Sequence, residues 1–135
     1  MRILILGGTR FLGRHLAEAV LASGHELTLF NRGKSGPGLF PGVERLCGDR
    51  DGDVSSLHGR RWDAVIDTSG YVPRIVRASA QLLADLTEQY TFISSISIYR
   101  DFANAGIDES YPVATLDDEI GEQDDASILL SSTDQ

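Results

Sequence analysis

At 135 residues the chain is the size of one domain, long enough to bury about two-thirds of the surface its unfolded form would expose. No apolar run approaches the roughly 18 residues of a membrane span and the N-terminus enters a strand without a basic leader, so a cytoplasmic protein with no membrane contact is expected. The net charge of −8 belongs to the tail, because residues 1–100 hold all 12 Lys and Arg against 10 Asp and Glu, while residues 101–135 hold 10 acidic residues and no basic one; the slightly basic body suits a phosphate-bearing ligand.

The first element is an apolar strand over residues 2–6, ending in Ile3-Leu4-Ile5-Leu6. Gly7, Gly8 and Gly13 bracket a tight turn, and a helical pattern over residues 10–23 follows at once. Leu12, Leu16, Ala19, Val20 and Ser23 fall on its face, and Gly24 stops it. Strand, glycine turn and helix in that order form the first half of a dinucleotide-binding βαβ unit, in which backbone N–H groups and the helix N-terminus face a pyrophosphate. The glycines do not match the usual spacing. G-x-G-x-x-G would need glycine where Thr9 and Leu12 stand, and G-x-x-G-x-x-G on Gly7 and Gly13 is broken by Arg10. A tight strand-to-helix turn that holds no ligand is the alternative reading of the glycines, and the rest of the chain weighs against it.

A second strand is expected at 26–30, a Gly- and Pro-rich loop at 33–42, and a short third strand at 43–47. Cys47, the single cysteine, cannot form an internal disulfide and reads as a buried small hydrophobe. The polar stretch 48–61 holds one helical turn near 55–58, and a fourth strand covers 63–67. A second helix is expected over 72–88, with Pro73 in its first turn and Ile75, Val76, Ser79, Leu82, Leu83 and Leu86 on one face. The fifth strand is expected at 90–95, and after Arg100 the regular pattern fades.

Strands alternating with helices imply an α/β fold: a three-layer, doubly wound parallel sheet. Right-handed crossovers and a glycine loop on the first strand favour strand order 3-2-1-4-5. A ligand then sits at the carboxyl ends of strands 1 and 4, where the order reverses. Segments 7–13, 31–32, 68–70 and 94–95 end at that crevice. Residues 1–115 form the expected domain, and 116–135 a poorly ordered acidic tail. No metal site is expected.

Gly7-Gly8-Thr9-Arg10-Phe11-Leu12-Gly13, Phe30-Asn31-Arg32-Gly33, Gly48-Asp49-Arg50 and the run Phe92-Ile93-Ser94-Ser95-Ile96-Ser97-Ile98-Tyr99 resemble the extended and atypical short-chain dehydrogenase/reductases. That superfamily contains the NAD-dependent epimerases and dehydratases. The resemblance covers roughly residues 1–115 and is similar to a branch with bacterial sugar-nucleotide epimerase-like proteins and chloroplast stem-loop-binding proteins. It implies a Rossmann-like fold, truncated before the substrate lobe, that binds NADP or NAD. Gly7, Thr9, Arg10, Phe11 and Leu12 would form the pyrophosphate turn, and Gly13 would let the helix pack close to the strand. Arg10, at a position where the family often has glycine, would either contact a phosphate or remain a solvated cation.

Asn31 stands where an Asp or Glu would take the ribose hydroxyls of NAD. Being neutral and followed by Arg32, with Lys34 nearby, it favours a 2′-phosphate and hence NADP, with NAD as the alternative. Asp49 and Arg50 occupy the family's adenine-side segment, although Asp49 could equally cap its own turn. Asp67 could satisfy loop N–H groups, while Thr68, Ser69 and Gly70 would let the cofactor approach. Ser95, four residues before Tyr99, matches the serine that orients a reacting carbonyl; capping the end of the fifth strand is the structural alternative.

The resemblance also calls for a Tyr-x-x-x-Lys pair, and none is present. Residues Ile75, Ser94, Ala103 and Thr115 stand four after the four tyrosines, and no lysine follows Lys34. His15, His25 and His58 are scattered and form no acid/base pair. Two functions therefore stand side by side. One is the cofactor-binding portion of an oxidoreductase, epimerase or dehydratase whose full-length relative takes a sugar nucleotide or similar carbonyl compound. The other is a non-catalytic module that senses NADP or binds RNA. The absence of a Lys/Arg stripe with interleaved aromatics argues against RNA. An uncovered sheet edge would favour a homo-oligomer.

Overall fold

The computed structural model describes residues 1–114. Five strands, β1 (Arg2–Leu6), β2 (Glu26–Asn31), β3 (Glu44–Cys47), β4 (Trp62–Asp67) and β5 (Thr87–Phe92), form one sheet in the order β3-β2-β1-β4-β5. Every pairing is parallel: Ile3 lies opposite Leu27 on one side and Ala64 on the other. Helices α1 (Phe11–Ala22) and α2 (Pro73–Leu83) supply crossovers, and a 3-10 turn, Ser55–Leu57, interrupts the connection from β3 to β4. The doubly wound order expected from the sequence is the order observed.

Alternation along the strands divides the core into two layers. Ile3, Ile5, Leu27 and Leu29 pack with Ala17 and Val20 of α1. Leu4, Leu6, Phe30, Leu46 and Val65 face the other way and pack with Leu57, Trp62 and Leu83. Such two-sided burial explains why β1 and β2 read as continuous apolar runs.

Several boundaries differ from expectation. Helix α2 stops at Leu83, not 88, and β5 spans 87–92, not 90–95. The Leu86 N–H bonds back to Leu83 O at 3.0 Å, and Leu86 O accepts from Trp62 N at 2.9 Å, so pairing to β4 begins there. Leu86 still packs against the core, but from the connecting turn. Its place in the apolar pattern therefore extends the helical periodicity without extending the helix. Thr87, Tyr90 and Thr91 are β-branched or aromatic and suit the strand.

Helix α1 is turned from its expected face: Gly13, Ala17 and Val20 are buried with Leu16 half-buried, whereas Leu12, Ala19 and Ser23 are exposed. Close approach requires the smallest residue, Gly13, to point inward, which rotates Leu12 out. Cys47 is exposed, contrary to the expectation of burial. It ends edge strand β3, where Leu46 takes the inward position and Cys47 the outward one.

The chain divides into two compact units, the first being Met1–Ile93. The second begins at Ser94, and its described part, residues 94–114, contains a 3-10 turn at Ile96–Ile98 and an antiparallel bridge between Tyr99 and Val113. There the Tyr99 and Tyr111 rings meet edge to face at 6.1 Å, and the Tyr111 hydroxyl donates to Asp101 at 2.6 Å. The acidic tail at 116–135 lies outside the described residues.

Candidate functional site

The carboxyl end of β1 leads into Gly7 and Gly8, whose φ angles of 106° and 83° suit glycine. A Cβ on Gly8 would stand 2.5 Å from Leu29 Cδ2, and one on Gly13 only 2.9 Å from the Gly8 nitrogen. The glycines thus set the backbone turn and bring α1 down onto it. Arg10 precedes α1 in an extended conformation without making a side-chain cap, and the first helical turn carries no acidic residue. The N–H groups there remain available to an anion, with the helix dipole pointing the same way.

Around this turn, polar side chains engage the backbone. Asn31 donates through Nδ2 to Gly7 O at 3.3 Å and accepts the Gly33 N–H on Oδ1 at 2.9 Å, linking the end of β2 to the glycine turn. Thr68 and Ser69 donate their hydroxyls to Leu6 O at 2.9 and 3.3 Å. Arg10 Nε donates to Ser35 Oγ at 3.2 Å.

A buried ion pair stands at the end of β4. Asp67 is fully buried, and Arg50 grips both its oxygens at 2.8 and 2.7 Å. Arg50 Nε also donates to Ser79 Oγ at 3.0 Å. The Tyr90 hydroxyl donates to Asp67 Oδ2 at 2.7 Å, and the Ser69 N–H to Oδ1 at 3.1 Å. Burial, reinforced by the Asp67 carboxylate, pushes the Tyr90 phenol well above its ordinary range, keeping it a donor. The bidentate geometry and the further donors are what a buried charge requires.

These segments surround a cleft of about 480 Å³. Gly7, Thr9 and Arg10 line one side, Asn31 and Arg32 another, and Asp49, Arg50, Thr68 and Ser69 the remainder. Arg50 therefore lines the cleft while its guanidinium is committed to Asp67 and Ser79. Asp49 is exposed and accepts the Asp51 N–H at 3.1 Å, the arrangement of an Asp closing its own turn.

Phe11, Leu12, Gly13 and Gly70 do not line the cleft. Phe11 is 88% exposed, with φ at 34°. Gly70 makes room for its neighbours, since a Cβ there would lie 2.4 Å from Val76 Cγ2. Ser95 belongs to the second unit, where its Oγ accepts the Ser97 N–H at 3.1 Å.

Sequence reasoning missed Ser35, Asp51, Tyr71, Val72 and Ile75, which also line the cleft. Tyr71 and Val72 directly continue the 68–70 segment and could have been included on that ground. Ser35 lies in a loop whose path no local pattern specifies. Asp51 is held by Arg74 of α2, with one contact at 2.9 Å.

The profile of the NAD dependent epimerase/dehydratase family matches residues 3–81, more than half of the chain. The chain belongs to that family. A relative, the Arabidopsis thaliana chloroplast stem-loop binding protein of 41 kDa b, is 34% identical over 119 residues, covering 73% of this chain and 30% of its own. Among solved structures, a UDP-galactose 4-epimerase superposes with a TM-score of 0.71 at 22% identity, covering 84% of this chain and 45% of that one. The Bordetella bronchiseptica enzyme WbmG in complex with NAD and UDP gives 0.71 at 19% identity, covering 86% and 44%. At such identities the two structures share the fold. The chain spans less than half the length of each of these proteins. Among the described residues no helix is long and apolar enough to cross a membrane.

Proposed function

We propose that residues 1–93 bind a nicotinamide dinucleotide in the cleft, NADP in preference to NAD, as the cofactor-binding portion of an oxidoreductase, epimerase or dehydratase. The observation that carries this reading is convergence. The glycine turn, the uncapped α1 N-terminus and the Asn31–Arg32 pair border one cleft, at the point where strand order reverses between β1 and β4. The residues present fit such a group: the close docking of Gly13 on Gly8 aims the first helical turn at a pyrophosphate, and the volume suits a ligand site. Asn31 brings no carboxylate that would repel a 2′-phosphate, and Arg32 and Lys34 bring positive charge.

When bound, the nicotinamide supplies hydride transfer to or from a carbon centre. A sugar nucleotide or similar carbonyl compound fits that chemistry, and the UDP and NAD bound to WbmG support the choice. Ser95 would orient such a carbonyl. Its oxygen accepts from Ser97, which leaves its own proton for donation. With no Tyr-x-x-x-Lys pair in the sequence, the chain alone is expected to give no NADPH-consuming turnover; turnover abolished by Ser95→Ala would overturn that expectation.

Titration calorimetry with NADPH and NADH tests the cofactor assignment. Tighter NADPH binding is expected. Binding of neither overturns the site, and equal affinities overturn the preference. The Arabidopsis relative's name supports a second reading, RNA binding. A salt-sensitive gel shift with a stem-loop RNA would favour it, and no shift would exclude it.

A further inference from the structure

We propose that Ser35 is a phosphorylation site for a protein kinase that selects basic residues ahead of its acceptor, and that the phosphoserine shuts the cleft to a dinucleotide. The shutting rests on the proposed dinucleotide site; the modification rests on the loop that carries Ser35.

Ser35 lies in the Gly- and Pro-rich loop after β2, three residues after Arg32 and directly after Lys34, and no acidic residue stands between Glu26 and Glu44. Kinases choose their substrates in part by charge pattern, and an acidic substrate groove fits these cations. The loop is open to such a groove. Arg32 and Lys34 are exposed and Ser35 is partly exposed. Among the described residues no backbone hydrogen bond holds Lys34 or Ser35. The bonds inside the loop are local turns, Leu39 N–H to Gly36 O and Val43 N–H to Phe40 O, each at 3.1 Å. The Ser35 hydroxyl accepts from Arg10 Nε at 3.2 Å and keeps its own proton for transfer. With Mg-ATP as donor, the γ-phosphorus forms a bond to Ser35 Oγ as its bond to the β,γ-bridging oxygen breaks. ADP leaves, and the hydroxyl proton passes to the kinase's catalytic carboxylate.

The cleft holds a ready counter-charge for the product. A phosphoserine carries about −1.5 to −2 charges at neutral pH and three acceptor oxygens. Arg10 already contacts the oxygen that would bear the phosphoryl group, and Arg32 and Lys34 line the cleft together with Ser35. No ion pair holds any of these three cations among the described residues. A phosphoryl group tethered beside them competes at high effective concentration with any free anion. Its charge also repels the phosphates of an incoming dinucleotide.

The full chain is treated with Mg-ATP and the catalytic subunit of cyclic-AMP-dependent protein kinase, and the product is mapped by tandem mass spectrometry. One phosphoryl group on Ser35 is expected, absent from Ser35→Ala and sharply reduced in Arg32→Gln. No incorporation, or incorporation only at other residues, overturns the proposal. Calorimetry then compares the phosphorylated and unmodified chains with NADPH and NADH. Phosphorylation should weaken binding by about tenfold or more, while Ser35→Ala should bind equally before and after kinase treatment. Equal affinities of the phosphorylated and unmodified chains overturn the shutting of the cleft. An unchanged thermal unfolding transition shows that the phosphorylated chain is still folded. Failure of the unmodified chain to bind either dinucleotide overturns the cofactor reading and the shutting with it, and the mass of the Ser35 peptide still decides the modification.

Discussion

Asp67 could not remain buried as a carboxylate without Arg50, Tyr90 and the Ser69 N–H. Removing one partner of such a pair leaves the other charge in a low-dielectric site. Arg50→Ala and Asp67→Asn should each lower stability by about 3–5 kcal/mol, measured by urea unfolding. Tyr90 gives the site a pH dependence. Its folded pKa lies above its ordinary value of 10.0, so its stabilising contribution is complete below that pH and is lost as pH rises beyond it. Unfolding curves above pH 10 should therefore show wild type losing stability more steeply than Tyr90→Phe, and parallel slopes would contradict this account. Cys47 is exposed, so it should react with an aromatic disulfide reagent in the native protein without prior unfolding. The sequence pointed to Arg50 and to Asp67, but in separate roles. Their partnership depends on the connection after β3 meeting the end of β4, 17 residues away, which no local pattern encodes.

At the scale of elements, docking of α1 is decided by Gly13. Any side chain there meets the Gly8 backbone, so Gly13→Val should lower stability by about 1–3 kcal/mol and abolish dinucleotide binding together. Thermal unfolding and calorimetry on the same sample check both. On the opposite face, Leu83 is fully buried where α2 ends, and Leu83→Ala should cost about 2–5 kcal/mol. The periodicities that revealed both helices were real, yet they misplaced the end of α2 and the face of α1. An apolar residue such as Leu86 reaches the core from a turn as readily as from a helix. A large residue such as Leu12 is turned outward when a neighbouring glycine must make the close contact.

For the whole molecule, the parallel sheet places the loops after β1, β2, β3 and β4 around one cleft. Three of the stretches that strand order assigns to a common site, 7–13, 31–32 and 68–70, contribute lining residues; the loop after β3 lines it as well, and that segment is marked by the family resemblance, not by strand order. The apolar strand runs, the positive-φ glycine turn and the alternation of strand with helix are local in sequence. With the handedness of parallel crossovers they determine sheet order, and hence the cleft. Tertiary structure alone decided which polar groups at the cleft are already bonded. Arg50 is held by Asp67 and Asn31 by the glycine turn, while Arg10 is carried across to Ser35. The physical reason is that backbone period and turn chemistry are set by neighbours along the chain. Burial of a charge and the partner that must satisfy it are set by segments that meet only once the sheet has formed.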